Sequence, residues 1–157
     1  TAATPSVSYT LTSMWGVGHL MNGGGRTWAV RATFRGVTPV NTSAIVEFVL
    51  PPNVLRVGER ARFNQVTLPP NCSIIYSGIT PIRYRCIVAH PVGTRDLFQH
   101  VVFDVPPGTP PSIDVTATVI AINGLPASMV TGTLSLTSSS AICHSRGHAL
   151  QLCYLGF

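Results

Sequence analysis

The sequence is poor in charge and contains no lysine. Only 10% of its 157 residues are charged, whereas soluble domains average about 25%. Five acidic residues leave little material for acid–base catalysis, and no run approaches the roughly 18 apolar residues that a membrane-spanning helix needs. Hydrophobic residues nevertheless make up 45% of the chain, which excludes intrinsic disorder. The length is that of one domain with a substantial core.

The positive charge is dispersed rather than clustered. The formal net charge is +5, and all ten basic residues are arginine. The densest group runs from Arg56 to Arg62 and contains Glu59, which offsets part of its field. A nucleic-acid footprint normally concentrates Lys and Arg on one face. We therefore expect no nucleic-acid partner.

The four cysteines are Cys72, Cys86, Cys143 and Cys153, and none lies in a C-x-x-C motif. The spacing argues against structural zinc and favours two disulfides formed in an oxidising compartment. Of the three possible connectivities we favour Cys72–Cys86 and Cys143–Cys153, each closing a loop worth about 3 kcal/mol by chain entropy. The sequence begins at Thr1 with no initiator Met and no apolar leader, which is typical of a mature chain after signal-peptide removal. We expect an extracellular or cell-surface protein.

Apolar and polar residues alternate with period two in segment after segment, and no segment has helical periodicity. The inward sets include Trp28 to Phe34, Val46 to Leu50, Tyr84 to Val88 and Val101 to Val105. Clusters of Pro, Gly and Asn fall between these runs and mark turns. The pattern predicts an all-β fold: an antiparallel, Ig-like or Greek-key β-sandwich of about nine or ten short strands.

We expect one sandwich domain over 1–140 and a disulfide-clamped segment over 141–157. Within the first, residues 1–25 form an N-terminal strand and a Gly-rich hairpin, which a neighbouring copy can exchange.

The middle of the chain resembles the DUF11-type Ig-like repeat domains of bacterial surface and secreted proteins. The resemblance is carried by Thr38 to Asn53, by Cys72, by Arg83 to Val88 with Cys86 inside it, by Val101 to Gly108 with its Pro-Pro-Gly turn, and by the strand Ile113 to Val119. It covers about half of the chain. It implies an Ig-like sandwich acting at a cell surface.

No catalytic constellation stands out, and we expect neither an enzyme nor a cofactor. Glu47, Asp104 and Asp114 alternate outward and are expected to be solvated. There is no Gly-x-Ser-x-Gly, and Gly23 to Gly25 lack the lysine of a phosphate loop.

His144 and His148 have the H-x-x-x-H spacing that binds metal on a helix. Gly147 lies between them, so we expect a loop with two solvated histidines and no bound metal.

Carbohydrate binding is one alternative function. The segment from Trp15 to His19 follows an alternating strand and resembles the first strand of cellulose-binding modules. The resemblance makes Trp15 and His19 candidate ligand-binding residues. Trp28 alternates inward, however, so a flat strip of aromatic residues is hard to build. Asn41 and Asn71 begin N-x-Ser sequons, relevant where the host glycosylates asparagine.

Self-assembly is the function that the sequence favours. Residues 6–12 form a strongly alternating strand followed by a Gly-rich stretch, and such a strand can add to the sheet of a neighbouring copy. Val7, Tyr9 and Leu11 are then the residues that dock, unless the strand pairs within its own sandwich. We expect a secreted structural or adhesive subunit that forms a homo-oligomer, filament or surface layer. A viral jelly-roll shell protein is a second alternative.

Overall fold

The computed structural model describes residues 8–20, 23–38, 42–62, 65–75, 82–90, 92–110, 112–122, 125–126, 131–137, 141–146 and 150–155. These residues form strands, turns and connecting loops, with no helix among them, which confirms the all-β prediction. The strands are β1 (Ser8–Leu20), β2 (Arg26–Thr38), β3 (Thr42–Leu50), β4 (Val57–Arg62), β5 (Gln65–Thr67), β6 (Cys72–Ile75), β7 (Ile82–His90), β8 (Gly93–Val105), β9 (Ser112–Ile122), β10 (Leu125–Pro126), β11 (Thr131–Thr137), β12 (Ala141–Arg146) and β13 (Leu150–Leu155).

The strands make two antiparallel sheets. Sheet A has the order β13-β12-β1-β2-β8-β4-β5, and sheet B has the order β10-β9-β3-β7-β6, with β11 also pairing with β9. Every pairing is antiparallel.

The strand order is that of an immunoglobulin-like sandwich. The run β1-β2-β8 of sheet A corresponds to strands A-B-E, and the run β7-β3-β9-β11 of sheet B corresponds to C′-C-F-G. Two additions depart from the basic plan: the β4–β5 hairpin beside β8, and the β12–β13 hairpin beside β1. The prediction of an Ig-like antiparallel sandwich is confirmed. The described strands outnumber the nine or ten expected partly because β5 and β10 are only three and two residues long.

The core lies between the two sheets and consists of the inward members of the alternating runs. Its largest fully buried side chains are Trp28, Phe34, Phe48, Tyr84 and Phe103. Each contributes about 1.5–3 kcal/mol or more by leaving water. Period two therefore assigns the two faces of these strands correctly.

Strand β1 is longer than the sequence indicates. The predicted alternating strand spans residues 6–12, but β1 continues to Leu20 and pairs with β2 along its whole length. A register shift between Leu11 and Ser13 changes which residues of β1 point inward. Leu11 is buried before the shift, and Met14 is buried after it. The glycines inside β1 fit close approaches, because a Cβ at Gly18 would lie 2.7 Å from the Trp28 ring.

Candidate functional surfaces

The first predicted disulfide is present. Cys72 on β6 lies directly opposite Cys86 on β7, both are buried, and their sulfurs are bonded. The bridge ties the edge strand β6 to the sheet beside it.

The second cysteine pair has the same cross-strand arrangement. Cys143 on β12 lies directly opposite Cys153 on β13 in the hairpin register. Residues directly opposite in an antiparallel pair have Cα atoms close enough for a disulfide. The register therefore supports the predicted Cys143–Cys153 bridge, which stays a prediction.

The proposed assembly strand lies inside its own domain. Tyr9 and Leu11 belong to the buried core, while Val7 falls outside the described residues. Strand β1 pairs with β2 on one side and with β12 on the other. For β1 to enter a neighbouring copy it would have to leave both partners and withdraw these side chains from the core.

Trp15 and His19 lie on the outer face of sheet A. Their strand partners are Arg31 and Thr27 on the outward face of β2, and Trp15 is half-buried while His19 is exposed. Trp28 is 1% exposed, as its inward position predicted. Trp15 and His19 therefore share one face.

Three further residues join Trp15 on this face. The register aligns Trp15, Arg31 and His100 in one row across β1, β2 and β8. The Arg31 guanidinium carbon lies 4.7 Å from the centre of the Phe98 ring, which is 54% exposed. Alternation predicted that Arg31 and His100 point outward, but only the register, a long-range property, places them beside Trp15.

Two carboxylates predicted to be solvated are buried. Asp104 is 0% exposed and Glu47 is 5% exposed, although both lie on outward strand positions. The Thr27 hydroxyl donates to Asp104 at 2.7 Å, and Arg56 makes a charge-assisted hydrogen bond to its other oxygen.

Glu47 is covered in the same manner. It accepts hydrogen bonds from Arg83 at 2.7 Å and from Arg85 at 2.6 Å, and the long arginine stems shield it from water. Asp104 and Glu47 lie on different sheets, on opposite sides of the sandwich. They are structural ion pairs and do not form a catalytic dyad.

A buried polar bridge joins the two sheets at one end of the sandwich. The Tyr9 hydroxyl lies 2.8 Å from Nδ1 of His90, and His90 is 1% exposed. Burial raises the pKa of Tyr9 from 10.0 to about 12. Burial also lowers the pKa of His90 below its ordinary 6.5, against a smaller opposing effect of a backbone hydrogen bond with Arg95.

The remaining predicted residues are His144, His148, Asn41 and Asn71. His144 lies on strand β12 opposite Trp15, so it is in extended backbone rather than on a helix, and His148 and Asn41 lie outside the described residues. The Asn71 amide donates to the Ile87 carbonyl at 3.1 Å. No cluster of three or more potential metal ligands occurs in the described part of the chain.

One small concavity carries no acid–base pair among its described lining residues. It encloses about 170 Å³ at the end of the sandwich, between the start of β2 and the loop after β8, and its lining includes Arg26, Trp28, Pro106 and Pro110. Among the described residues that line it, Arg26 alone carries a titratable side chain.

A search for helices of sufficient length and apolarity to cross a membrane found none in the described ranges. Comparison of the chain with protein-family models, with curated proteins and with solved structures gave no match. The resemblance to DUF11-type domains therefore remains a prediction.

Proposed function

We propose that the protein is an extracellular structural subunit that assembles with copies of itself by strand addition at the free edge of sheet A. The observation that carries the proposal is that β13 is an uncharged strand at the edge of sheet A. This strand ends the sheet, and among the described residues its only strand partner is β12.

Strand β13 lacks the features that normally protect an edge. Its sequence, Leu-Gln-Leu-Cys-Tyr-Leu, contains no charge and no proline. Natural edge strands usually carry lysine, proline or a bulge, because unpaired N–H and C=O groups recruit other strands. An uncharged six-residue edge suits β-augmentation, in which main-chain hydrogen bonds supply the affinity.

The other sheet ends are poorer candidates. Strands β5, β6 and β10 are three, four and two residues long, and β6 is tied to β7 by the Cys72–Cys86 bridge. Strand β11 shares the β9 edge with β10 and lies against β1 and β12 of the other sheet.

The N-terminal strand is a less favourable donor than the sequence indicated. Tyr9 and Leu11 fill the core of their own domain, and removing two large side chains would cost several kcal/mol, at about 2–5 kcal/mol each. Addition at β13 needs no such rearrangement, so we place the contact there.

Two further properties fit this role. The low charge of the chain matches the depletion of charged residues at the centres of protein interfaces. The disulfide fits an oxidising location outside the cytoplasm.

The experiment compares the wild-type protein with Leu152→Lys by size-exclusion chromatography with light scattering over a concentration series. A lysine on an edge strand opposes strand addition. We expect the wild-type molar mass to rise above the 16.7 kDa of one chain as concentration increases, and Leu152→Lys to stay at that mass. Electron microscopy of the wild type distinguishes a filament from a closed shell.

Ser73→Lys is the matched control, since Ser73 is an exposed residue of β6, the edge strand of the other sheet. It should assemble like the wild type, and circular dichroism should show that both variants remain folded. A wild type that stays monomeric at its highest soluble concentration, or a folded Leu152→Lys that assembles normally, would contradict the proposal.

A further inference from the structure

The outer face of sheet A carries a second feature, independent of the β13 edge: a cation framed by aromatic side chains. Arg31 occupies the centre of the row Trp15–Arg31–His100, and its guanidinium lies over the ring of Phe98. We call these four residues the Arg31 patch.

The positive charge of Arg31 has no acidic partner among the described residues. Two other arginines on this face have described side chains, and both are paired: Arg35 with Asp96 at 3.1 Å, and Arg56 with Asp104. The two nearby carboxylates are thus already engaged by other cations. Among the arginine side chains described on this face, Arg31 is the one without an acidic partner.

The surroundings of Arg31 strengthen its attraction for an anion. Its Nε is shielded from water and has no hydrogen-bond partner in the described part of the chain. A guanidinium held on an aromatic ring is partly desolvated and fixed in orientation. Charge-assisted hydrogen bonds to carboxylate or sulfate oxygens are favoured in such a setting.

The aromatic residues indicate what else the ligand contains. Trp15 is half-buried and Phe98 is more than half exposed, and they lie on β1 and β8, on either side of β2. Two strand spacings separate them, about 10 Å, so a ligand that contacts both is longer than one sugar ring. Flat apolar ring faces next to one fixed cation suit a chain of sugar rings that bears acidic groups.

We propose that the Arg31 patch binds an acidic polysaccharide, with Arg31 contacting a carboxylate or sulfate group and Trp15 and Phe98 packing against the sugar rings. A nucleic acid fits less well, because its affinity comes from many phosphate contacts and the patch offers one unpaired arginine. A second copy of the chain in a two-fold contact fits less well too, because it would oppose Arg31 to itself.

The test titrates the full chain with oligogalacturonate, a heparin oligosaccharide and a neutral cello-oligosaccharide, followed by calorimetry and by tryptophan fluorescence. We expect at least one acidic oligosaccharide to bind about tenfold or more tightly than the neutral one, a difference of about 1.4 kcal/mol. The response to the two acidic probes tells whether carboxylate or sulfate is preferred.

Arg31→Gln removes the charge and should weaken acidic binding about tenfold or more. Arg35→Gln removes a charge from the same strand and face, but one already paired with Asp96, and should change affinity less than about threefold (about 0.7 kcal/mol). Trp15→Ala should weaken the binding and remove most of the fluorescence change, since Trp28 is enclosed in the core.

Equal binding of the acidic and neutral probes, or an unchanged affinity in folded Arg31→Gln, would overturn the inference. So would a single-stranded oligonucleotide that binds at least as tightly as the polysaccharides and whose binding depends on Arg31. None of these results bears on β13, because Arg31 lies on β2, away from the sheet edge, and Arg31→Gln should assemble like the wild type if it remains folded. The patch and the assembly edge can therefore fail separately.

Discussion

At the residue scale, the contact between Tyr9 and His90 links the N-terminal strand to the opposite sheet. Tyr9 lies on β1 of sheet A, and His90 ends β7 of sheet B, 81 residues away. Gly36 makes room for the pair, because a Cβ there would collide with both rings. One hydrogen bond thus couples the sheets where β1 begins.

We predict that this contact makes the protein less stable in mild acid. The pKa of His90 in the folded protein lies below 6.5, its ordinary value in the unfolded chain. At pH values between these two pKa values, the unfolded chain therefore binds a proton at His90 more readily than the folded protein does. The free energy of unfolding should fall as the pH drops below about 6.5, by at most about 1.4 kcal/mol per pH unit. Urea unfolding at about pH 7.5 and about pH 5.5 measures the change.

His90→Gln is the control, since glutamine keeps a hydrogen-bonding group but does not titrate. The variant should be less stable at neutral pH and should lose part of the acid dependence, while a substitution of exposed His19 should leave that dependence in place. Parallel pH profiles for the wild type and His90→Gln would refute the prediction.

A second expectation concerns Tyr9. Burial raises its pKa from 10.0 to about 12, so the free energy of unfolding should fall as the pH rises above 10.

The two buried carboxylates show what alternation alone misses at this scale. Period two correctly assigned Glu47 and Asp104 to outward positions, but the expectation that they are solvated was wrong. Which arginines reach across to cover them depends on the pairing of β3 with β7 and of β4 with β8. Sequence periodicity carries no information about those pairings.

At the scale of single strands, turns were easier to predict than strand ends. The Gly-rich turn was expected and is present between β1 and β2, with Gly23 and Gly24 at positive φ. The strand before it was predicted too short, because the Gly-rich stretch that follows residue 12 includes Gly16 and Gly18. Both are strand residues. A Cβ at Gly16 would collide with the Leu136 side chain, and a Cβ at Gly18 would collide with the Trp28 ring.

We predict a disulfide between Cys143 and Cys153 that stabilises the β12–β13 hairpin. The register sets the two residues directly opposite each other, as Cys72 and Cys86 are. The chain-entropy argument assigns such a short loop about 3 kcal/mol. Peptide mapping of the unreduced protein should recover these two cysteines in one linked peptide.

Cys143→Ser with Cys153→Ser serves as the matched variant for that bridge. It should lower the stability of the hairpin and leave the Cys72–Cys86 bridge formed. Free thiols at both positions, or a link from either one to Cys72 or Cys86, would contradict the predicted connectivity.

For the whole molecule, the fold class followed from the sequence and the site did not. Alternating runs separated by Pro and Gly clusters are sufficient to indicate a sandwich, and the resulting strand order is Ig-like. The Arg31 patch comes from three strands, and its members Trp15 and Phe98 are far apart in the chain. Only the register of β1, β2 and β8 joins them, and register is fixed by the packed core as a whole.

The sheet order predicts a gradient of local stability across the molecule. Strands β2 and β8 have hydrogen-bonded neighbours on both sides, whereas β13 ends sheet A. Elements at a sheet edge open at lower free energy than central strands. Amide hydrogen exchange at low protein concentration should therefore be slowest in β2 and β8 and fastest in β13.

The dependence of amide exchange on protein concentration distinguishes the β13 edge from the rest of the molecule. If copies add at β13, its amides should become protected as the protein concentration rises, while those of β6, the edge of the other sheet, stay unchanged. Leu152→Lys should abolish that increase without altering β2. Uniformly slow exchange through β13 in the monomer would show that the hairpin unfolds only with the whole domain, and protection gained at β6 instead would place the contact on the other sheet.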